Sequence, residues 1–294
     1  MSSISDIIEV FRAREKEHGF HAFIRRALAS CFYQLKIYTS YRMNFALDLI
    51  DITISALIYY YIGFLVSPQD LMRLGYTPDY IAFALAGIAL SRYIWTSVAR
   101  LAHKMRHEIS AGTFESLAAA DFDDFHAWLW GQILYGFTWS SSVFFVTILL
   151  GYSLGASFTR SLVFWLQAIL IVLLTVLIHA GIGVMAAGMY IVHKQLETLL
   201  VLLVAVIEFF GGVLYPLSLL WNYPPLYYIA MLIPFTHGLE LFRRTIIDEL
   251  PLTHPLMLRH LIILLVFFPT IFLGFKVFKH YLNKAKKTGL LAAY

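Results

Sequence analysis

Residues 161–188 read SLVFWLQAILIVLLTVLIHAGIGVMAAG, a stretch without any Asp, Glu, Lys or Arg. About 20 helical residues cross the ~30 Å hydrocarbon core of a bilayer, so this stretch is long enough to span one. The rest of the chain agrees, because its mean hydropathy is +0.73 and only 14% of its residues are charged. We therefore expect an integral membrane protein rather than a soluble one.

Other stretches of the chain have a similar length and composition. Six predicted spans cover residues 45–66, 79–99, 131–152, 161–188, 196–215 and 257–278. We expect an all-α protein with six transmembrane helices, divided into an amphipathic segment (1–44), a transmembrane domain (45–280) and a basic tail (281–294).

The lysine and arginine residues are distributed unevenly among the segments that join the predicted spans. With both termini in the cytosol, 16 of the 22 lie on the cytosolic side and 5 on the outer side, while Arg92 lies within a span. Cytosolic segments of membrane proteins carry such an excess of positive charge. We therefore expect a multi-pass protein of the cell (inner or plasma) membrane with both termini cytosolic, and no cleaved signal peptide.

The segment before the first span has apolar residues at helical spacing. One face carries Phe20, Phe23, Ile24, Ala27, Leu28, Cys31, Phe32 and Leu35. This pattern predicts an amphipathic helix that lies in the membrane surface and contacts lipid headgroups. A helix packed on another protein is the alternative. Cys31 is the single cysteine, which excludes an internal disulfide.

Residues 211–255 begin with two glycines and contain six prolines, which repeatedly interrupt helices. Their apolar piece, 226–235, would form only about 15 Å of helix, which is too short to span a bilayer. We expect re-entrant half-helices on the outer side, whose irregular backbone must be buried in protein or face a water-filled cavity. The residues singled out here are Gly211, Gly212, Tyr215, Pro216, Pro234, Glu240 and Arg243.

Polar residues within the predicted spans each cost a few kcal/mol unless they are paired or hydrated. Some of them are expected to line a transport route. The alternative is an ion pair that only fixes helix packing, for example Asp51 with Arg92. For Tyr59, an aromatic belt at the membrane surface is the alternative. The candidates are Asp48, Asp51, Tyr59, Arg92, His179 and Glu208.

The sequence GYSLG at residues 151–155 matches the G-x-S-x-G pattern of serine hydrolases. That motif needs a strand before its serine, whereas Ser153 follows a hydrophobic helical stretch. An intramembrane serine hydrolase with Ser153 and His179 is therefore the alternative function from another class. We predict a protein without catalytic residues.

Two other chemical patterns are incomplete. His103 and His107 have the spacing of a zinc pair, but Ala111 stands where the H-E-x-x-H motif needs its second histidine. We predict no metal site. The chain also lacks a Walker A motif, so any use of ATP requires a partner protein. The basic tail is expected to contact anionic lipid rather than nucleic acid.

The stretch HEISAGTFESLAAADFDDF, residues 107–125, interrupts the apolar sequence between the second and third spans. Gly112 allows a turn, Thr113 can cap a following helix, and Glu115 would lie in its first turn, where the helix dipole favours an anion. A helix over 114–120 would be about 10 Å long, with Phe114 and Leu117 on one side. Such a short rod can transmit force from a soluble partner to the spans.

Together these features resemble the membrane (permease) subunits of type-2 ABC exporters, which export drugs, lipids and polysaccharides. One motif is similar to the family's glycine-threonine-x-glutamate pattern in the first cytosolic loop. The other is similar to its tyrosine-proline and proline to glutamate-x-x-arginine pattern after the fifth span. The matching residues are Glu108, Ile109, Gly112, Thr113, Glu115 and Leu117, and then residues 211–220 with Pro234, Phe235, Glu240 and Arg243.

The resemblance implies that residues 107–125 form a coupling segment that docks on a separate ATPase. The implied contacts are Glu108, Gly112, Thr113, Phe114, Glu115, Ser116 and Leu117. It also implies two permease chains, identical or related, and two ATPase chains that hold ATP and Mg, with no cofactor in this chain. The implied substrate is amphipathic, lipid-linked or drug-like. A polysaccharide or glycolipid is the alternative, although residues 33–52 lack the Arg-Asp-Leu-Lys run of polysaccharide exporters.

Overall fold

The computed structural model of the protein describes residues 19–119 and 122–288, and the regular structure within these ranges is entirely helical. The predicted all-α fold is thereby confirmed. Residues 1–18 of the predicted amphipathic segment and 289–294 of the basic tail lie outside the described residues, so predictions about them stay predictions.

The first half of the chain forms seven helices within the described ranges. They are α1 (Phe20–Ser40), α2 (Arg42–Gly63), α3 (Pro68–Arg73), α4 (Tyr80–Ile94), α5 (Arg100–Ser110), α6 (Phe114–Ala119) and α7 (Phe122–Ser153). A π-helical turn, Trp95–Ala99, joins α4 directly to α5. The second half contains α8 (Leu162–Val192), α9 (Glu197–Phe210), a 3-10 helix (Leu217–Asn222), α10 (Pro224–Met231), α11 (Pro234–Ile246), α12 (Pro255–Val266) and α13 (Thr270–Thr288).

Five helical stretches of the described residues are long and apolar enough to cross a membrane, which is typical of a multi-pass membrane protein. They are Ala46–Gly63, Tyr80–Ser110, Phe125–Ser153, Leu162–Val192 and Pro255–Thr288. Each overlaps one of the six predicted spans.

The remaining predicted span, 196–215, contains a shorter helix than expected. Helix α9 has 14 residues, or about 21 Å, which is less than the thickness of the hydrocarbon core. It ends where Gly212 adopts a φ of 70° and the Val213 amide bonds to the Glu208 carbonyl. The apolar composition continues beyond this turn, but the helix does not.

Helices α8 and α13 pack closely at the centre of the molecule because glycines face each other. A Cβ at Gly181 would lie 2.4 Å from the Thr270 carbonyl oxygen, and one at Gly274 would lie 2.2 Å from the Gly181 oxygen. Small residues of this kind let helix backbones approach within membranes. Helix α8 thus forms part of the core, with Ile178, Val184 and Ala187 fully buried.

The amphipathic helix α1 packs along α7. Its small residues Ala27 and Cys31 are buried, and a Cβ at Gly131 of α7 would lie 2.6 Å from the Ala27 carbonyl oxygen. Phe20 and Phe32 are exposed. The apolar face predicted from the sequence is therefore divided: Ala27, Cys31 and the half-buried Phe23 contact the protein, and Phe20 and Phe32 point away from it.

Candidate functional site: the coupling segment and the polar cavity

A tight turn connects α5 to α6 at the centre of the predicted coupling segment. The Gly112 amide donates to the Ile109 carbonyl at 3.1 Å, and Gly112 has a φ of 71°, a conformation that favours glycine. The Thr113 hydroxyl donates to the carbonyl and the carboxylate of Glu108. Thr113 thus bonds back to α5, whereas we expected it to cap the following helix.

Glu108 stabilises this turn. Its carboxylate accepts the Thr113 hydroxyl and pairs with the ammonium group of Lys104 at 2.7 Å. The Glu108 side chain is only 13% exposed. It therefore holds the turn in shape and offers little surface to a docking protein.

Helix α6 is buried on one face and exposed on the other. Phe114 and Ala118 are each 2% exposed, and the Phe114 ring lies 6.2 Å from that of Phe125 in α7. Glu115 and Ser116 are exposed. Leu117 is half-buried and packs against the same cluster as Phe114 and Ala118, which confirms that Phe114 and Leu117 lie on one side of the helix.

A cavity of about 660 Å³ lies among α2, α4, the π-helical turn and α9. It contains three of the six route candidates, Tyr59, Arg92 and Glu208, together with Tyr215 from the predicted outer region. Its other polar and aromatic lining residues are Ser55, Ser91, Trp95 and Phe209. The cavity thus combines charged, hydroxyl and aromatic groups in one space.

Of the two charged groups that line this cavity, Arg92 forms an ion pair with a neighbouring carboxylate and Glu208 forms none with any described residue. The Arg92 Nη2 atom lies 2.8 Å from Asp51 Oδ2, which is the ion pair considered from the sequence. Glu208 is half-buried, and the hydroxyl of Ser91, which also lines the cavity, donates to the Ile88 carbonyl at 3.0 Å. Within the described part of the chain, no lysine or arginine forms an ion pair with Glu208.

The three remaining route candidates, Asp48, Asp51 and His179, do not line this cavity. Asp48 accepts a hydrogen bond from the Tyr38 hydroxyl, between α1 and α2. His179 is fully buried in α8, with its Nδ1 atom 2.7 Å from the Thr175 carbonyl oxygen. Its Nε2 atom has no hydrogen-bond partner among the described residues.

The residues of the alternative hydrolase make local contacts. Ser153 is the last residue of α7 and donates its hydroxyl to the Leu150 carbonyl at 2.8 Å. A nucleophile elbow requires a strand at this point instead of a helix. The Ser153 hydroxyl is bonded to Leu150 and the His179 ring to Thr175, so neither hydrogen bond connects Ser153 to His179.

A polar contact joins α5 to the start of α9. The carboxylate of Glu197 lies 3.0 Å from His103 Nδ1 and also pairs with the guanidinium group of Arg106. His103 thus has a carboxylate partner, and the described residues contain no group of three or more histidines, cysteines or carboxylates that could hold a metal ion.

In the predicted outer region, Arg243 ties three parts of the backbone together. Its guanidinium group donates to the carbonyls of Phe83 at 3.1 Å, Gly212 at 2.8 Å and Val213. Arg243 is 2% exposed. A Cβ at Gly87 would lie 2.3 Å from the Val213 oxygen, so glycine is needed for this contact.

Glu240 is part of a separate network and does not pair with Arg243. It accepts the Tyr76 hydroxyl at 2.9 Å and pairs with Arg244, which also pairs with Asp248. Burial, together with the charge of Glu240, raises the pKa of Tyr76, so the phenol keeps its proton and remains a donor.

The other residues singled out in this region shape the backbone. Pro234 is the first residue of α11, Pro216 precedes the 3-10 helix, and the Tyr215 hydroxyl donates to the Phe209 carbonyl at 2.6 Å. A Cβ at Gly211 would lie 2.4 Å from the Phe235 ring.

Sequence reasoning missed several residues of these sites. The spacing of Glu240, Arg244 and Asp248, four residues apart, could have revealed their network. Ser91 and Trp95 gave no such signal, because their place at the cavity depends on the π-helical turn. No protein-family model matches the chain, and no curated protein matches it significantly, so its resemblance to a family stays a prediction.

Proposed function

We propose that the protein is the transmembrane subunit of an ATP-driven ABC exporter that moves an amphipathic, lipid-linked or drug-like substrate out of the cytosol. The observation that carries this proposal is the placement of α6. This six-residue helix connects two membrane-length helical stretches and exposes Glu115 and Ser116. Its other face is packed into the protein.

The packing of α6 supports a mechanical role. Phe114 contacts Phe125 of α7, and Phe125 stacks on Phe278 of α13 at 5.2 Å between ring centroids. Because protein interiors are close-packed, a push on the exposed face of α6 would displace these helices instead of deforming a loose loop. Such a contact couples a soluble motor to the membrane helices.

The proposal requires partners. ATP and Mg belong to a separate ATPase present in two copies, and two permease chains form a homodimer or heterodimer in the cell membrane, among its lipids. Both termini face the cytosol. Helix α9 is the sixth membrane element and the following 211–255 region enters from the outer side as re-entrant half-helices. The 16 to 5 distribution of Lys and Arg supports this orientation.

The cavity supports transport of an amphipathic substrate. Its polar lining, including Arg92 and Glu208, adjoins apolar side chains such as Val204 and Val213. Pockets that combine a largely apolar wall with a few polar groups bind molecules of mixed character. The Glu197 contact links α5, next to the coupling segment, to α9, which lines the cavity.

The Glu115→Lys substitution tests the proposal. The permease is co-expressed with its ATPase, and ATP turnover of the co-purified complex is measured in lipid vesicles. We expect Glu115→Lys to reduce turnover about tenfold, because it reverses a charge on the docking face. Asp70→Lys, an exposed charge reversal in α3, should leave turnover unchanged. Failure of any ATPase to co-purify, or equal turnover in Glu115→Lys, would contradict the proposal.

A further inference from the structure

We infer that the cavity holds a site for the alkylammonium group of a cationic amphiphile, bound between the Glu208 carboxylate and the aromatic side chains of Tyr59, Trp95 and Phe209. The inference rests on the proposed function in one respect, since it identifies this amphiphile with the transported substrate. Binding itself requires no ATPase.

The charges at the cavity select for a cation. The one arginine of the lining, Arg92, is paired with Asp51, and Glu208 has no ion-pair partner among the described residues. Asp51 lies outside the lining and balances the charge of Arg92, so the Glu208 carboxylate gives the cavity a net negative charge. A carboxylate in apolar surroundings is stabilised when a cation takes the place of the water it has lost. An anionic headgroup would meet repulsion here.

The aromatic residues supply a second, independent feature. Trp95 is 41% exposed and Phe209 is 59% exposed, and both line the cavity. The Phe209 and Tyr215 rings lie 5.7 Å apart at 60°, and the hydrogen bond from the Tyr215 hydroxyl to the Phe209 carbonyl holds them together. Aromatic faces around a quaternary ammonium group attract it through their quadrupoles.

The size and walls of the cavity fit an alkyl chain attached to that group. Its volume of about 660 Å³ lies within the range of small-molecule sites. Ile88, Val201 and Val204 provide apolar surface beside the carboxylate. The ligand class is therefore an alkylammonium amphiphile, whose source is either a free cationic surfactant-like molecule or a choline-containing lipid.

A binding assay tests this inference on the whole protein. Tritiated hexadecyltrimethylammonium is the probe, and the purified protein is held in dodecyl maltoside micelles. Unlabelled dodecyltrimethylammonium should displace the probe, whereas hexadecanoate at the same concentration should displace at least tenfold less. Equal displacement by hexadecanoate would overturn the inference, and this comparison needs no variant.

Variants locate the site. We expect Glu208→Gln to weaken probe binding about tenfold or more, and Tyr59→Leu to weaken it about threefold to tenfold. Asp48→Asn is the matched control, because it removes a carboxylate of α2 that lies outside the cavity. Wild-type affinity in a Glu208→Gln protein that elutes normally in gel filtration would contradict the assignment.

Two further measurements separate the sources of the ligand and the two proposals. Probe binding in phosphatidylcholine nanodiscs is compared with that in phosphatidylethanolamine nanodiscs, which are also zwitterionic, after subtraction of the probe bound by empty nanodiscs of the same lipid. Weaker binding in the former identifies the choline headgroup as a ligand, and equal binding identifies a free amphiphile. Probe binding without a co-purifying ATPase would preserve the site and refute the exporter. An ATPase complex that does not bind the probe would preserve the exporter proposal and refute the alkylammonium site.

Discussion

Gly183 sets the distance between α8 and the π-helical turn. A Cβ at this position would lie 1.8 Å from the Ser97 carbonyl oxygen, which is far inside van der Waals contact. Gly136 of α7 faces the same turn, but its Cβ would lie 3.6 Å from Thr96, an ordinary contact. A methyl group added at Gly183 would therefore clash with the π-helical turn, whereas one added at Gly136 would make an ordinary contact with it.

Gly183→Ala should destabilise the protein by about 1–3 kcal/mol, because overpacking forces the backbone to move. The apparent melting temperature in detergent should fall by about 2–12 °C. Gly136→Ala should leave it unchanged or slightly higher, since alanine favours a helix. Equal melting temperatures for the two variants would contradict the close approach of α8 to the turn.

The contacts of Arg243 depend on the planar shape of its guanidinium group as well as on its charge. Its donors reach three carbonyls, and its guanidinium carbon lies 3.5 Å from the centre of the Phe83 ring. An ammonium group cannot reproduce this planar arrangement of donors and its stacking on an aromatic ring.

Arg243→Lys should therefore lower the free energy of unfolding by about 2–4 kcal/mol, because it leaves buried carbonyls without their donors. Thermal denaturation of the purified protein measures the change. Arg259→Lys is the control, since Arg259 is exposed on α12. If the two variants melt at the same temperature, Arg243 does not hold this region together.

Among the helices, α9 connects two regions of the molecule. Its first residue, Glu197, contacts His103 and Arg106 of α5, and its later residue Glu208 lines the cavity. Because helices are stiff over 14 residues, movement of α5 at one end would alter the position of Glu208 at the other. This provides a direct link from the coupling segment to the cavity.

Glu197→Gln should uncouple these regions. We expect it to lower ATP turnover of the reconstituted complex severalfold while probe binding at the cavity stays within about twofold of wild type. Asp70→Asn is the control, because it removes an exposed ion pair within α3 at 3.5 Å. A parallel loss of probe binding in Glu197→Gln would show that Glu197 supports the fold and not the coupling.

For the whole molecule, the proposed orientation predicts which loops each side of the membrane can reach. Cys31 is 6% exposed, so it gives little background for cysteine labelling. Ser116 in α6 and Ser157 in the loop after α7 are both exposed. The charge distribution assigns Ser116 to the cytosol and Ser157 to the outside.

A membrane-impermeant maleimide added to intact cells should therefore label Ser157→Cys and leave Ser116→Cys unlabelled. Inverted vesicles should give the opposite pattern. The Cys31→Ala background removes the remaining native thiol. Labelling of Ser116→Cys in intact cells would place the coupling segment outside the cell and remove the basis of the exporter proposal.

Local composition predicted much of this molecule. The all-α class and the membrane-length helices followed from strong hydrophobicity, and the Asp51–Arg92 pair was considered as an alternative because an unpaired charge is costly in lipid. These properties are set by the cost of exposing apolar surface to water or charge to lipid, and that cost is a property of each stretch alone.

The end of α9, the π-helical turn and the neighbours of Glu208 could not be deduced in the same way. They depend on how helices rotate and approach one another, through contacts such as Gly183 with Ser97 and Arg243 with Gly212. Those contacts join residues far apart in the chain. Since close packing is settled only when all the helices are in place, the cavity and its unpaired carboxylate arise from the assembled fold.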